Sequence, residues 1–98
     1  MKNHETFTLI EGEFLPKDSR EILFSVFKSK IRFHRMNNFS FQERFGKEDK
    51  HSHQRITQLE NTLEEISKLL DVAEKEGKIL EIKSEIYLNL LDAEENSI

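Results

Sequence analysis

The residues of this chain whose types and spacing could do chemistry fall into two groups. The first is His51-Ser52-His53, two imidazoles two residues apart, with Asp49 just before them and His34 upstream. Imidazole nitrogens and a carboxylate are ligands that Zn²⁺ accepts, so His34, His51 and His53 form a candidate metal set. Their spacing matches neither HExxH nor any paired-ligand signature. A solvated polar loop that happens to hold two histidines is the simpler reading, and no metal or other cofactor is expected. The second group is a basic-aromatic run from Lys28 to Phe45, in which Lys28, Lys30, Arg32, Arg35 and Arg44 interleave with Phe33, Phe39, Phe41 and Phe45. Guanidinium groups clamp carboxylates or phosphates bidentately, and exposed aromatic rings stack on bases. Arg32, His34, Arg35 and Arg44 are the candidate ligand-binding residues. The competing reading buries the four Phe side chains as core, which suits a small domain better than leaving them wet.

No catalytic residue is assigned. Ser40, Ser52 and Ser84 lack GxSxG surroundings, and Gly12, Gly46 and Gly77 are too scattered to cradle a phosphate. The acids Glu60, Glu64, Glu65, Asp71 and Glu74 read as a solvated helix face. With no cysteine, thiolate chemistry, disulfides and Cys-ligated metals are closed. No stretch approaches the ~20 apolar residues needed to cross a bilayer and no signal-peptide run is visible, so the expectation is a cytoplasmic protein that does not engage a membrane.

The elements that must position these residues follow from periodicity. Phe7 to Leu15 reads as a strand, with Ile10 and Phe14 on one face and Gly12 marking a bulge or kink. Pro16 ends it. Asp18 and Glu21 have capping-box spacing, and Ile22, Leu23, Val26, Phe27 and Ile31 make an apolar stripe, so a helix is expected over about 18–36. Phe24 falls off that stripe and suggests a second contact surface. Asn37-Asn38 should stop the helix, and Ser40 to Glu43 repeats the capping-box pattern, giving a one-turn helix at about 41–45 closed by Gly46. Residues 47–53 hold no apolar side chain and read as a loop. Ile56, Leu59, Leu63, Ile66, Leu70 and Ala73, with Leu69 widening the stripe, predict a helix over about 54–76 with Gly77 as its C-cap. From Leu80 the period drops to two, predicting a strand over about 79–90 with one buried and one wet face. The chain from Leu91 to Ile98 should fray, as should the N-terminus.

The segments Lys30-Ile31-Arg32-Phe33-His34 and Glu43-Arg44-Phe45-Gly46-Lys47 resemble runs found in small bacterial proteins of unassigned activity. The resemblance implies no substrate, cofactor or site.

A single small α+β domain follows, β-α-α-β in order, with a two-stranded antiparallel sheet packed on a helical hairpin. The helices should pair within one chain rather than as an intermolecular coiled coil. Two strands make a marginal sheet with open edges, so a homodimer that completes four strands is expected. The net charge of −4 hides a segregation: residues 28–55 carry eight Lys or Arg against three acids. The functional expectation is therefore a non-catalytic interaction module whose basic-aromatic segment contacts an anionic or acidic partner, with a protein favoured over nucleic acid. Two alternatives stand beside it. One is a small metal-binding protein or enzyme using His34, His51 and His53. The other is a purely structural subunit whose Phe24 marks the contact.

Overall fold

The computed structural model describes residues 4–93. Four elements follow one another: β1 (His4–Phe14), α1 (Pro16–Phe45), α2 (Lys50–Lys75) and β2 (Leu80–Asn89). The chain forms two compact units, the helical segment Phe14–Leu80 and the strand pair built from the chain on either side of it.

In the strand unit β1 and β2 run antiparallel as a two-stranded sheet. Alternation is visible in burial: Ile10, Gly12 and Phe14 are half-buried on β1, and Ile82 is buried between half-buried Leu80 and Ser84 on β2. The buried face expected along the whole of β2 stops there, however, because Ile86 and Leu88 are exposed. Period two specifies which side of a strand is apolar; covering that side takes a second layer. Gly12 has φ 156°, a backbone setting that side-chain-bearing residues rarely adopt, and β1 continues unbroken through it. At the open end the His4 and Tyr87 rings lie 5.4 Å apart. The expected fraying of both termini falls partly on residues 1–3 and 94–98, outside the described residues; residues 91–93 carry no regular structure, whereas His4, Glu5 and Thr6, expected to be loose, already belong to β1, where pairing with β2 holds the backbone.

In the helical unit, α1 starts at Pro16 rather than at a capping box on Asp18. Proline's fixed φ suits the first helical position, and the clash it imposes on its predecessor holds Leu15 extended at φ −65°, ψ 152°, with no side-chain cap. The larger correction is that α1 runs unbroken for 30 residues and absorbs the separate turn helix expected at about 41–45. Asn37 and Asn38 do not stop it. Each Asn costs a helix only about 0.7 kcal/mol against Ala, while the inner stripe Phe27, Ile31, His34, Asn38 and Phe41 continues in steps of four and three, all buried or half-buried. Asn38 also turns its side chain to use, accepting the Asp49 backbone N–H at 2.8 Å. Gly46 then ends the helix at φ 71°.

Helix α2 starts four residues earlier than the periodicity predicts. Asp49 is its N-cap, with one carboxylate oxygen accepting the His51 N–H at 3.1 Å and the other the Ser52 hydroxyl at 2.8 Å. That cap folds the Lys50–His53 stretch, expected as loop, into the first turn. At the other end Gly77 takes φ 68°, with Lys78 N–H donating to Ala73 C=O at 2.8 Å and Gly77 N–H to Glu74 C=O at 3.3 Å. This is a Schellman closure, as the glycine's place predicted.

The two helices form an antiparallel hairpin within one chain. Ile31 of α1 and Ile56 and Leu59 of α2 make the core cluster, with Phe27 against it, and Leu70 is, among the described residues, the one large apolar side chain with no exposure. Arg20 forks to Ser67 Oγ (2.9 Å) and Asp71 Oδ1 (2.7 Å) at one level, and Arg35 reaches Glu60 Oε2 (3.0 Å) at another. Both pairs are exposed and are worth at most ~1 kcal/mol each, so they set register more than stability. Burial of the aromatic run as core does not occur: Phe33, Phe39 and Phe45 are each more than half exposed, and only Phe41 is half-buried. An unbroken helix carries them round the axis, off the seam that Phe27, Ile31 and Phe41 occupy.

Nothing lies within 4 Å of a Cβ built on Gly46, so any cost of a side chain there comes from the positive φ alone. Gly46→Ala is expected to lower stability by about 1 kcal/mol, and Gly46→Asn by less, since Asn tolerates the left-handed region. Urea titration of the three proteins checks this. Equal stability of Ala and Gly would show that the left-handed turn is not kept in solution.

Candidate functional site

Helix α1 brings Lys28, Arg32 and Arg35 onto one side by spacings of four and three. They border a shallow open groove of ≈ 500 Å³ whose floor is Ile31 and Leu63 and whose far wall includes Glu60 of α2. Arg35 is committed to Glu60 at 3.0 Å. Lys28 and Arg32 have no carboxylate partner within ion-pair distance among the described residues. Next to the groove, Phe24 carries a cation over its ring from each neighbour, with Arg20 at 5.4 Å and Lys28 at 5.6 Å from the centroid. Its off-stripe position thus supports the cationic wall. Exposed cations on an apolar floor can pair with carboxylates while aliphatic groups settle between them.

Of the residues singled out from sequence, Arg32 and Arg35 meet in this groove. Arg44 does not: it lies twelve residues further along α1, about 18 Å at helical rise, beside the Phe45 ring at 5.7 Å. His34 does not either. It sits on the inner seam, 7% exposed, with neither ring nitrogen hydrogen-bonded, so it is out of a ligand's reach. Lys28, Glu60, Ile31 and Leu63 were not assigned to the site. The signal for Lys28 was present, since it starts the same four-three spacing, whereas Glu60 enters only through the pairing of the helices.

Around His34 the hairpin holds a polar layer. Asn38, Asp49 and Ser52 are joined by the hydrogen bonds already described, and Ser52 is 2% exposed. Burial first, then the nearby charges of Lys30, Arg55 and His51, hold the His34 pKa below its ordinary value; Asp49 opposes them. The Ser52 hydroxyl first, then the backbone amides of Ser52 and His51, hold the Asp49 carboxyl below its usual range against an opposing desolvation. His51 and His53 both lie on α2, two residues and therefore ~200° apart around the axis, so they point to opposite sides. Among the described residues no group of three His, Cys, Asp or Glu side chains is arranged to hold a metal ion, and no helix is long and apolar enough to cross a membrane.

The chain matches no protein-family model, no curated protein and no solved structure. The functional reading therefore rests on the groove's own chemistry.

Proposed function

We propose that the protein is a non-catalytic interaction module whose α1 groove takes an acidic protein segment. The observation that carries this reading is the combination of two cations without a carboxylate partner among the described residues, Lys28 and Arg32, with an apolar floor of Ile31 and Leu63 in one open groove. An acidic helix with carboxylates four residues apart presents charges at the same rise as Lys28 and Arg32, and a leucine between them meets the floor. Nucleic acid fits less well. The groove's lining holds no aromatic ring on which a base could stack, whereas its aliphatic floor suits a leucine side chain.

Calorimetric titration tests the reading with a helical peptide carrying Glu at positions i and i+4 around a Leu, its Gln counterpart and a single-stranded oligonucleotide. The acidic peptide is expected to bind, the Gln peptide to bind roughly tenfold more weakly or not at all, and Arg32→Ala to weaken the acidic peptide by roughly tenfold. Equal binding of the Glu and Gln peptides, or an unchanged affinity in Arg32→Ala, sinks the proposal. Preferential binding of the oligonucleotide would transfer the site to nucleic acid.

A further inference from the structure

The same side of the hairpin that bears free cations on α1 bears acids on α2. Glu60 and Glu64 are four residues apart, as are Lys28 and Arg32. All four side chains are exposed. Glu60 is held by Arg35, and Glu64 lies 3.8 Å from Lys68, the longest ion pair among the described residues. Within the chain Lys28 and Arg32 pair with neither acid. A face that carries both halves of an ion-pair set at equal spacing is complementary to itself, the condition for an isologous two-fold interface.

From this we infer that the acidic partner of the groove is a second copy of the chain, docked through the α1–α2 side of the hairpin about a two-fold axis. The inference rests on the groove reading above and names its occupant. Lys28 and Arg32 of one protomer meet the partner's Glu60 and the partner's Glu64, and the symmetric pairs form at the same time. The two-fold passes near Leu63, whose half-buried side chain loses its remaining water against its symmetry mate, while Ile31 is already buried beneath it. The small core makes such cover useful, since among the described residues only six apolar side chains are buried.

Charge reversal tests the pairing. Sedimentation should show the wild type at twice its 11.7 kDa chain mass, with dissociation rising with salt. Lys28→Glu/Arg32→Glu and Glu60→Lys/Glu64→Lys should each weaken self-association by roughly 100-fold, because each sets like charges opposite one another. Mixing the two variants should restore a dimer containing one of each. If a reversal variant fails to fold by circular dichroism, a cysteine pair decides, since the native chain has none. Arg32→Cys mixed with Glu64→Cys should crosslink faster than either alone, and equal or absent crosslinking overturns the inference. So does a wild type that stays monomeric at every concentration, or a dimer that both reversals leave intact, as pairing through the edges of the strands would. If a monomer still binds the acidic peptide through Arg32, the groove reading stands and only its occupant is wrong. If the dimer is right, the acidic peptide should split it into monomers.

Discussion

Leu70→Ala is expected to remove about 3 kcal/mol of stability, within the ~2–5 kcal/mol range for a buried Leu truncated in a core. Leu70 has no exposed surface, and it lies on α2 between Ser67 and Asp71, the two residues that Arg20 of α1 reaches. Small domains hold only about 5–15 kcal/mol in all, so the loss is a large share of the total. Leu69, the adjacent leucine, is 60% exposed, and Leu69→Ala is expected to change stability by less than ~0.5 kcal/mol. Urea titration followed by helical circular dichroism compares the two. Similar losses at both positions would mean that the seam is drawn one residue out of place or that Leu69 is covered by a partner.

The second large effect is at His34. Both ring nitrogens are buried without a hydrogen-bond partner, and leaving a buried polar group unpaired costs about 1–3 kcal/mol. His34→Leu, which keeps an apolar side chain of similar bulk on the seam, is therefore expected to raise stability by about that amount near neutral pH. The pH dependence has a definite sign. The native His34 pKa lies below its ordinary 6.5, so below pH 6.5 the unfolded chain binds a proton that the folded one does not. Stability is then fully present above 6.5 and falls as pH drops from there toward the native pKa. His34→Leu should flatten that limb. Asp49 acts in a separate window, since its pKa is lowered from 3.8 and its contribution is lost only as pH falls below that value. Melting curves from pH 8 to pH 3 separate the two. A wild type and a His34→Leu variant with parallel pH profiles between 7 and 5 would show that His34 is not buried as described.

The polar layer that makes His34 consequential was also what hid part of the fold. The α1 seam is apolar at Phe27 and Ile31, polar at His34 and Asn38, and apolar again at Phe41. A search for apolar periodicity ends at Ile31 and restarts beyond the Asn pair, which is why one long helix read as two. Likewise Ser52 is buried on the α2 seam, yet a serine between two histidines in a charged stretch signals a loop. The cap at Asp49 was not read from the sequence, and Asn38, which accepts the Asp49 backbone N–H, is eleven residues away. For the groove, the cationic side of α1 could be read from spacing alone. Glu60 and Leu63 join it only because α2 lies antiparallel at that register.

The sequence by itself determined the order β-α-α-β, the apolar stripes that pair the helices, the glycines that end them and the separation of a basic centre from acidic flanks. These are short-range properties, set by backbone preference and by side-chain period, and they act wherever the chain finds itself. Only the tertiary structure decided that α1 is continuous, that His34 is enclosed rather than offered to a ligand, and that Arg32 and Arg35 rather than Arg44 share a groove. Each of those depends on which residues of the other helix lie opposite, and that register is fixed by the summed packing of the whole seam rather than by any one segment.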